Sequence, residues 1–382
     1  MVEKTIVHIS ADFPDALRPM KTSSVSKLIS GAHGFRHIVY SLNRVSWTSR
    51  IASLDFGPDR TAVAYGAPPK GLWLATRLER VADWILEDIR RRQLSVDALH
   101  LHKFTIEGLV GLKLARILKC RFVVNVWGDT DLKIIRARPD LMEQWRAILS
   151  ESSLIIFLAP WTLESLDALF GLDRRKTTII PSIVQNDEFA PSQVVADNRF
   201  ISIFNLDFYR RKNFSAVIRA IRTLRKLYPS IRLDVYGRGS PRTILSLDNE
   251  IASAGVSENI YLKGPLAANL FSKTLTDYVA LLLPSKRETF GMVFIEALFS
   301  GLPLLYSKGW GIDGFFRPES IGYACDSAKV GDIRLGIELL INDQKKLKES
   351  IASLHANGEF EIFKEQNIHE KYRSAMTRLL ET

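Results

Sequence analysis

Short apolar runs alternate with longer stretches of helical period throughout this chain, and few folds accommodate that alternation. Strand-like runs fall at Thr5–Ile9, His37–Tyr40, Ala98–Leu101, Phe122–Val126, Leu154–Phe157 and Thr178–Ile180. Several are rich in Val and Ile and apolar on both faces, as strands of a sheet covered on both sides must be. Between them, Leu74–Arg92 and Ile106–Leu118 carry the 3.6-residue apolar repeat of helices. Strand, helix and strand in repetition predict an open parallel sheet flanked by helices.

The pattern then resets. Gln185–Gln193 is polar and contains Pro191, so it reads as a link between domains. A second series follows, with strands predicted at Phe200–Phe204, Ile231–Tyr236, Ile260–Leu262, Tyr278–Leu283 and Pro303–Tyr306, and helices at Phe214–Leu227 and Met292–Ser300. An amphipathic helix at Asn367–Glu381 closes the chain. The expected organisation is a domain over 1–185, a second over 195–362, and a terminal helix in 363–382 that packs back on the first domain. In open α/β sheets, ligands bind beyond the carboxyl ends of the strands. Two such domains facing each other would place that site in the cleft between them.

Composition narrows the function classes. Two cysteines in 382 residues make no disulfide framework and fit a reducing compartment. The first ten residues lack a signal peptide's apolar core, and no apolar run approaches the ~18 residues of a spanning helix. A cytoplasmic location is expected. The net charge of +10 favours phosphorylated ligands or anionic surfaces. With no zinc spacing, RNP-type signature or basic-region heptad, a nucleic-acid partner is not expected.

One segment carries chemistry: Pro284-Ser-Lys-Arg-Glu288-Thr-Phe-Gly291-Met-Val-Phe-Ile-Glu296-Ala-Leu-Phe-Ser-Gly301-Leu-Pro303. A strand runs into a polar loop, and a helix begins near Met292. A helix N-terminus offers free N–H groups and the positive end of a dipole, which suits a diphosphate. Gly291 lets that backbone approach a ligand closely. Glu288 precedes the helix and Glu296 lies about one turn inside it. One carboxylate can take sugar hydroxyls and the other a ribose diol, with phosphates on the amides of Thr289, Phe290, Gly291, Met292 and Val293 between them.

The spacing Glu-x7-Glu in this context resembles the donor-site motif of retaining GT-B glycosyltransferases, above all family 4 (glycosyl transferases group 1). The resemblance implies two Rossmann-like domains facing across a cleft, a nucleotide-diphosphate sugar such as a UDP- or GDP-sugar as donor, and no metal or other cofactor. It implies Glu288 and Lys212 as the catalytic pair. Tyr209-Arg210-Arg211-Lys212-Asn213 resembles the family's diphosphate clamp, with Asp207 or Leu206 where the family has its earlier arginine and Arg210 or Arg211 in its place. Gly237 matches the strand-Gly-x-Gly turn, and the segment with Lys263 and Gly264 matches the strand beside the nucleoside base.

The acceptor half departs further from the family. Val123–Asp129 resembles its strand followed by His-Gly-x-Asp, with Trp127 where many members have histidine. Asp129 and Asp131 either bind acceptor hydroxyls or cap the next helix. An Asp-x-Asp metal site on these two residues, and a non-catalytic binder that keeps the fold, are the competing readings. Lys21, at the start of a helix, and His102 complete the acceptor candidates, although histidines such as His100 and His102 are more often structural. Family members build surface polysaccharides and glycolipids, so a glycan or lipid-linked acceptor is expected. A stripe of Lys70, Trp73, Leu78, Val81, Trp84, Ile85 and Ile89 beside several arginines reads either as core or as peripheral contact with the inner membrane face.

Overall fold

The computed structural model describes residues 3–45, 50–68, 73–267 and 270–381. The chain divides into two units. The first comprises Met1–Leu158, Thr162–Ile183 and Gln366–Thr382, and the second Ala159–Trp161 and Val184–Glu365.

The first unit opens with β1 (Lys4–Ser10), α1 (Ser24–Ser30), β2 (Phe35–Val45), β3 (Ala52–Gly57), β4 (Arg60–Gly66) and α2 (Leu74–Arg91). It continues through β5 (Ala98–Leu101), α3 (Glu107–Leu118), β6 (Arg121–Val126), α4 (Asp129–Ala137) and α5 (Met142–Glu151). β7 (Leu154–Phe157), α6 (Pro160–Phe170) and β8 (Thr177–Ile179) follow. Among the described residues these strands form one sheet in the order β3-β4-β2-β1-β5-β6-β7-β8, parallel except where β3 pairs antiparallel with β4. β5 is buried at every residue, His100 included, as a strand covered on both faces must be.

The second unit contains β9 (Arg199–Ile203), α7 (Phe214–Leu224), β10 (Arg232–Tyr236), α8 (Pro241–Ser253) and β11 (Ile260–Gly264). Then come α9 (Phe271–Leu275), β12 (Leu281–Leu282), α10 (Met292–Phe299), β13 (Leu304–Ser307), α11 (Pro318–Ile321) and β14 (Gly322–Cys325). Two helices, α12 (Val330–Asn342) and α13 (Gln344–Ala356), precede α14 (Glu365–Glu381). Its strand order, β11-β10-β9-β12-β13-β14, is the 3-2-1-4-5-6 order of the dinucleotide-binding fold, and every pairing is parallel.

Nearly all of α14 lies with the first unit. Ile368, Tyr372, Met376 and Leu379 share one apolar cluster with Ile6, Val123 and Ile156. Four helical residues on one face, at i, i+4, i+8 and i+11, give that stripe its width.

Some expectations need correcting. The β3–β4 hairpin was not foreseen, because β3 is exposed over most of its length and offers little apolar signal. The strand expected at Tyr278–Leu283 pairs only at Leu281–Leu282. Helix α7 stops at Leu224, short of Leu227. The stripe on α2 is core: Leu78, Val81 and Ile85 have no exposed surface. Of that stripe, Lys70 lies outside the described residues, and Trp73 is 60% exposed. Among the described residues no helix is long and apolar enough to cross a membrane.

Candidate functional site

In the second unit the chain order reverses between β9 and β12, the switch point where open α/β sheets take ligands. The loops leaving these two strands carry Lys212 and Glu288. They are tied together by Lys286 N–H, which donates to Arg211 O at 2.9 Å, while Gly311 N–H, in the loop after β13, donates to Glu288 O at 3.0 Å. As a result Lys212 Nζ forms an ion pair with Glu288 Oε2, each side chain only 12% exposed. Ser285, itself buried, donates its hydroxyl to the same carboxylate oxygen at 3.3 Å.

Beyond Glu288 the chain turns into α10 through Gly291, whose φ of +75° is left-handed. A Cβ there would stand 2.5 Å from the Phe294 ring and 3.1 Å from Glu288 Cγ, so no side chain fits. Met292 is exposed and Val293 is half-buried at the first turn, where helix geometry leaves amides without an intrahelical acceptor. Thr289 offers its carbonyl to Trp161 Nε1–H at 2.9 Å. Phe290 is buried edge-on against Phe315. The loop is thus fixed from below and open at the helix start.

Glu296 sits elsewhere. It is 9% exposed and accepts the Gln185 amide at 3.0 Å, which anchors the start of the linker. Glu288 thus pairs with Lys212, and Glu296, one turn inside α10, holds the start of the linker.

Arg210 and Arg211 are exposed, and each lies over a neighbouring ring: Tyr209 at 5.4 Å and Phe208 at 4.8 Å from the ring centres. Asp207, standing where the family has an arginine, accepts both the amide and the hydroxyl of Ser240, at 3.0 and 2.8 Å, at the start of α8. Gly237 is obligatory, because a Cβ there would come within 1.8 Å of Phe204 O. Lys263 is exposed on the edge strand β11.

The acceptor candidates lie in the first unit. Asp131 is fully buried and caps α4: its Oδ2 accepts the amides of Trp127 and Gly128, at 2.8 and 3.2 Å, and its Oδ1 accepts the Thr105 hydroxyl at 2.6 Å. Both oxygens are committed, so Asp131 cannot serve as an open metal ligand beside Asp129. Asp129 pairs with Lys133 at 2.8 Å. Lys21 is turned inward, its Nζ donating to Asp15 at 2.8 Å, Ser41 at 3.0 Å and Leu42 O at 3.2 Å. Burial alone would raise the Asp15 carboxyl, but hydrogen bonds from Lys21, Ser41 and Asn43 hold it at about 2. Lys21 is therefore part of a buried network and not a free cation for an acceptor. Half-buried Trp127 donates its indole N–H to His102 O, and His102 is 1% exposed.

Sequence reasoning missed a buried group beside these. Lys103 Nζ pairs with Asp12 at 2.9 Å, next to Glu107, whose Oε1 accepts the Ala11 amide at 2.6 Å. Burial pushes the Glu107 carboxyl up to about 8 against the pull of Lys103. A raised carboxyl stabilises the fold most below the ordinary value of 4.5, and that contribution is lost as pH rises through about 8. Above pH 7, where His8, His37, His100 and His102 are neutral, the urea midpoint of the first unit should therefore fall as pH rises through about 8, and Glu107→Gln should flatten that slope. An unchanged slope would count against a protonated Glu107.

Residues 185–357 match the family described as glycosyl transferases group 1. The D-inositol 3-phosphate glycosyltransferase of Paenarthrobacter aurescens strain TC1 is 24% identical over 320 residues, covering 77% of this chain and 77% of that protein. Among solved structures, sucrose-phosphate synthase from Thermosynechococcus elongatus superposes with a TM-score of 0.73 at 14% identity, over 99% of this chain and 100% of that one. Anabaena HepE in complex with UDP superposes at 0.69, also with 14% identity, over 98% of this chain and 100% of that one. The chain has the GT-B fold, and its match to the glycosyl transferases group 1 family lies wholly within the second unit.

Proposed function

We propose that this protein is a retaining glycosyltransferase that moves a sugar from a nucleotide-diphosphate sugar to a hydroxyl of a glycan or lipid-linked acceptor, without a metal. The observation that carries this reading is the Lys212–Glu288 pair at the switch point of the second unit, beside the start of α10. The α10 amides, Lys212 and the two exposed arginines are suited to the diphosphate, with Arg forked for phosphate oxygens and Lys a point charge. Glu288 orients the sugar. The bond between the anomeric carbon and the phosphate oxygen breaks, and the acceptor oxygen bonds to the same face of that carbon. The acceptor proton passes to the leaving phosphate. Arg, Lys and helix amides stabilise the charge that develops there, the task a metal performs in other transferases.

The committed oxygens of Asp131 weigh against the Asp-x-Asp alternative. A bacterial surface polysaccharide or glycoconjugate is the acceptor class proposed, with the enzyme in the cytoplasm at the inner face of the membrane. The test is a thermal-shift panel of UDP, GDP and their sugars, with and without chelator. The matching nucleotide at 100 times its dissociation constant should add roughly 2.7 kcal/mol. Chelator should leave that gain intact, and no stabilisation by any nucleotide would sink the reading.

A further inference from the structure

The first unit has a switch point of its own, between β1 and β5, and a chain of histidines runs across it. His37 Nε2 lies 2.8 Å from Ala32 O, His37 Nδ1 lies 2.8 Å from His8 Nε2, and His8 Nδ1 lies 3.1 Å from His102 Nε2. Burial is the main force that lowers the pKa of His8, His37 and His102, so the three rings are neutral. In a neutral ring one nitrogen donates and the other accepts. The chain has an acceptor at its outer end, because a carbonyl cannot donate. His37 must therefore donate from Nε2 and accept at Nδ1. His8 must then donate from Nε2 and accept at Nδ1, and His102 must donate from Nε2. Each tautomer follows from the one before it.

What remains is the Nδ1 lone pair of His102, buried and without a hydrogen-bond partner among the described residues. His102 lines a cavity of about 20 Å³ beyond the carboxyl ends of β5, β6, β7 and β8, with Trp127, Leu158, Pro181 and Ser182 on its wall and Leu28 of α1 above. A water needs about 10–15 Å³, so the cavity has room for one hydroxyl group. We propose that His102 Nδ1 is the hydrogen-bond acceptor for one hydroxyl of the sugar acceptor, with His8 and His37 as positioning residues that fix its tautomer. This rests on the transferase reading above. The site selects a donor, a neutral hydroxyl, and rejects sulfate and carboxylate oxygens, which have no proton to give at neutral pH. The indole N–H of Trp127 on the His102 carbonyl holds the backbone of this ring.

The experiment is nitrogen-detected NMR of the imidazoles in the whole chain. His102 should show an unprotonated Nδ1 and a protonated Nε2 near neutral pH. With UDP present, methyl glucoside should shift the Nδ1 resonance, and sulfate should not. His37→Leu removes the acceptor for His8, so part of the His102 population should gain a proton at Nδ1 and the glucoside response should be lost. His37→Asn keeps an oxygen where Nδ1 stood and should restore both. Thermal unfolding of each variant shows whether it is folded. A protonated Nδ1 in the parent protein, a response to sulfate, or no response to the glucoside overturns the proposal. So does a stoichiometric divalent metal in the purified protein, since His8, His100 and His102 lie close enough to share one ion. Failure of the nucleotide panel would instead remove the transferase reading and leave the tautomer result standing.

Discussion

Glu288→Ala and Lys212→Ala are each expected to lower sugar transfer by about two orders of magnitude or more, the scale seen when a group that stabilises developing charge is removed. The two side chains touch, so their losses should not add: the double variant should be little slower than either single one. Glu288→Gln keeps the shape and one accepting oxygen but removes the charge, and its rate should fall between the parent and Glu288→Ala. Stability must be followed in parallel. Each side chain is only 12% exposed, and losing one partner leaves the other charge poorly solvated. Rates are therefore to be compared well below each variant's unfolding midpoint. Near-normal turnover in both folded single variants would remove Lys212 and Glu288 from the chemistry.

Which parts of this site could be read from sequence follows from how local each one is. Strand, loop, left-handed Gly291 and helix start lie within a dozen residues, so composition and spacing reveal them. The Lys212–Glu288 contact spans 76 residues and depends on β9 and β12 lying side by side, which no local pattern encodes. The place of Glu296, about one turn inside the helix, is legible from the sequence, but its partner across 111 residues is not. In the structure Glu296 is four residues from the start of α10 and faces Gln185. Asp207 is legible in hindsight: Ser240-Pro241 marks a helix start, and a nearby carboxylate commonly binds such a start. The histidine chain was hidden most completely. His8, His37 and His102 belong to β1, to β2 and to the turn after β5, and each looks solitary until the parallel pairing brings them together.

Removing residues 366–382 is expected to unfold the first unit. The reason is the apolar face of α14: Ile368, Tyr372 and Met376 have at most 1% of their surface exposed, and Leu379 has 7%. Truncating one such side chain to alanine costs about 2–5 kcal/mol, and a whole domain is stable by only about 5–15 kcal/mol. Losing four of them at once leaves no margin. Polar groups add to the loss. Tyr372 OH donates to His100 Nδ1 at 2.7 Å, and His100 Nε2–H donates to Asn125 at 2.8 Å, so the helix completes a buried network next to the histidine chain. Tyr372→Phe should cost about 1–3 kcal/mol, because it strands a buried acceptor without opening a cavity. Met376→Ala should cost about 2–5 kcal/mol through the cavity it leaves. Urea unfolding followed by tryptophan fluorescence measures both. The deletion should abolish the cooperative transition of the unit that holds Trp145, a fully buried residue. If the shortened chain unfolds at the parent's midpoint, α14 is an appendage and its apolar face is not part of the core.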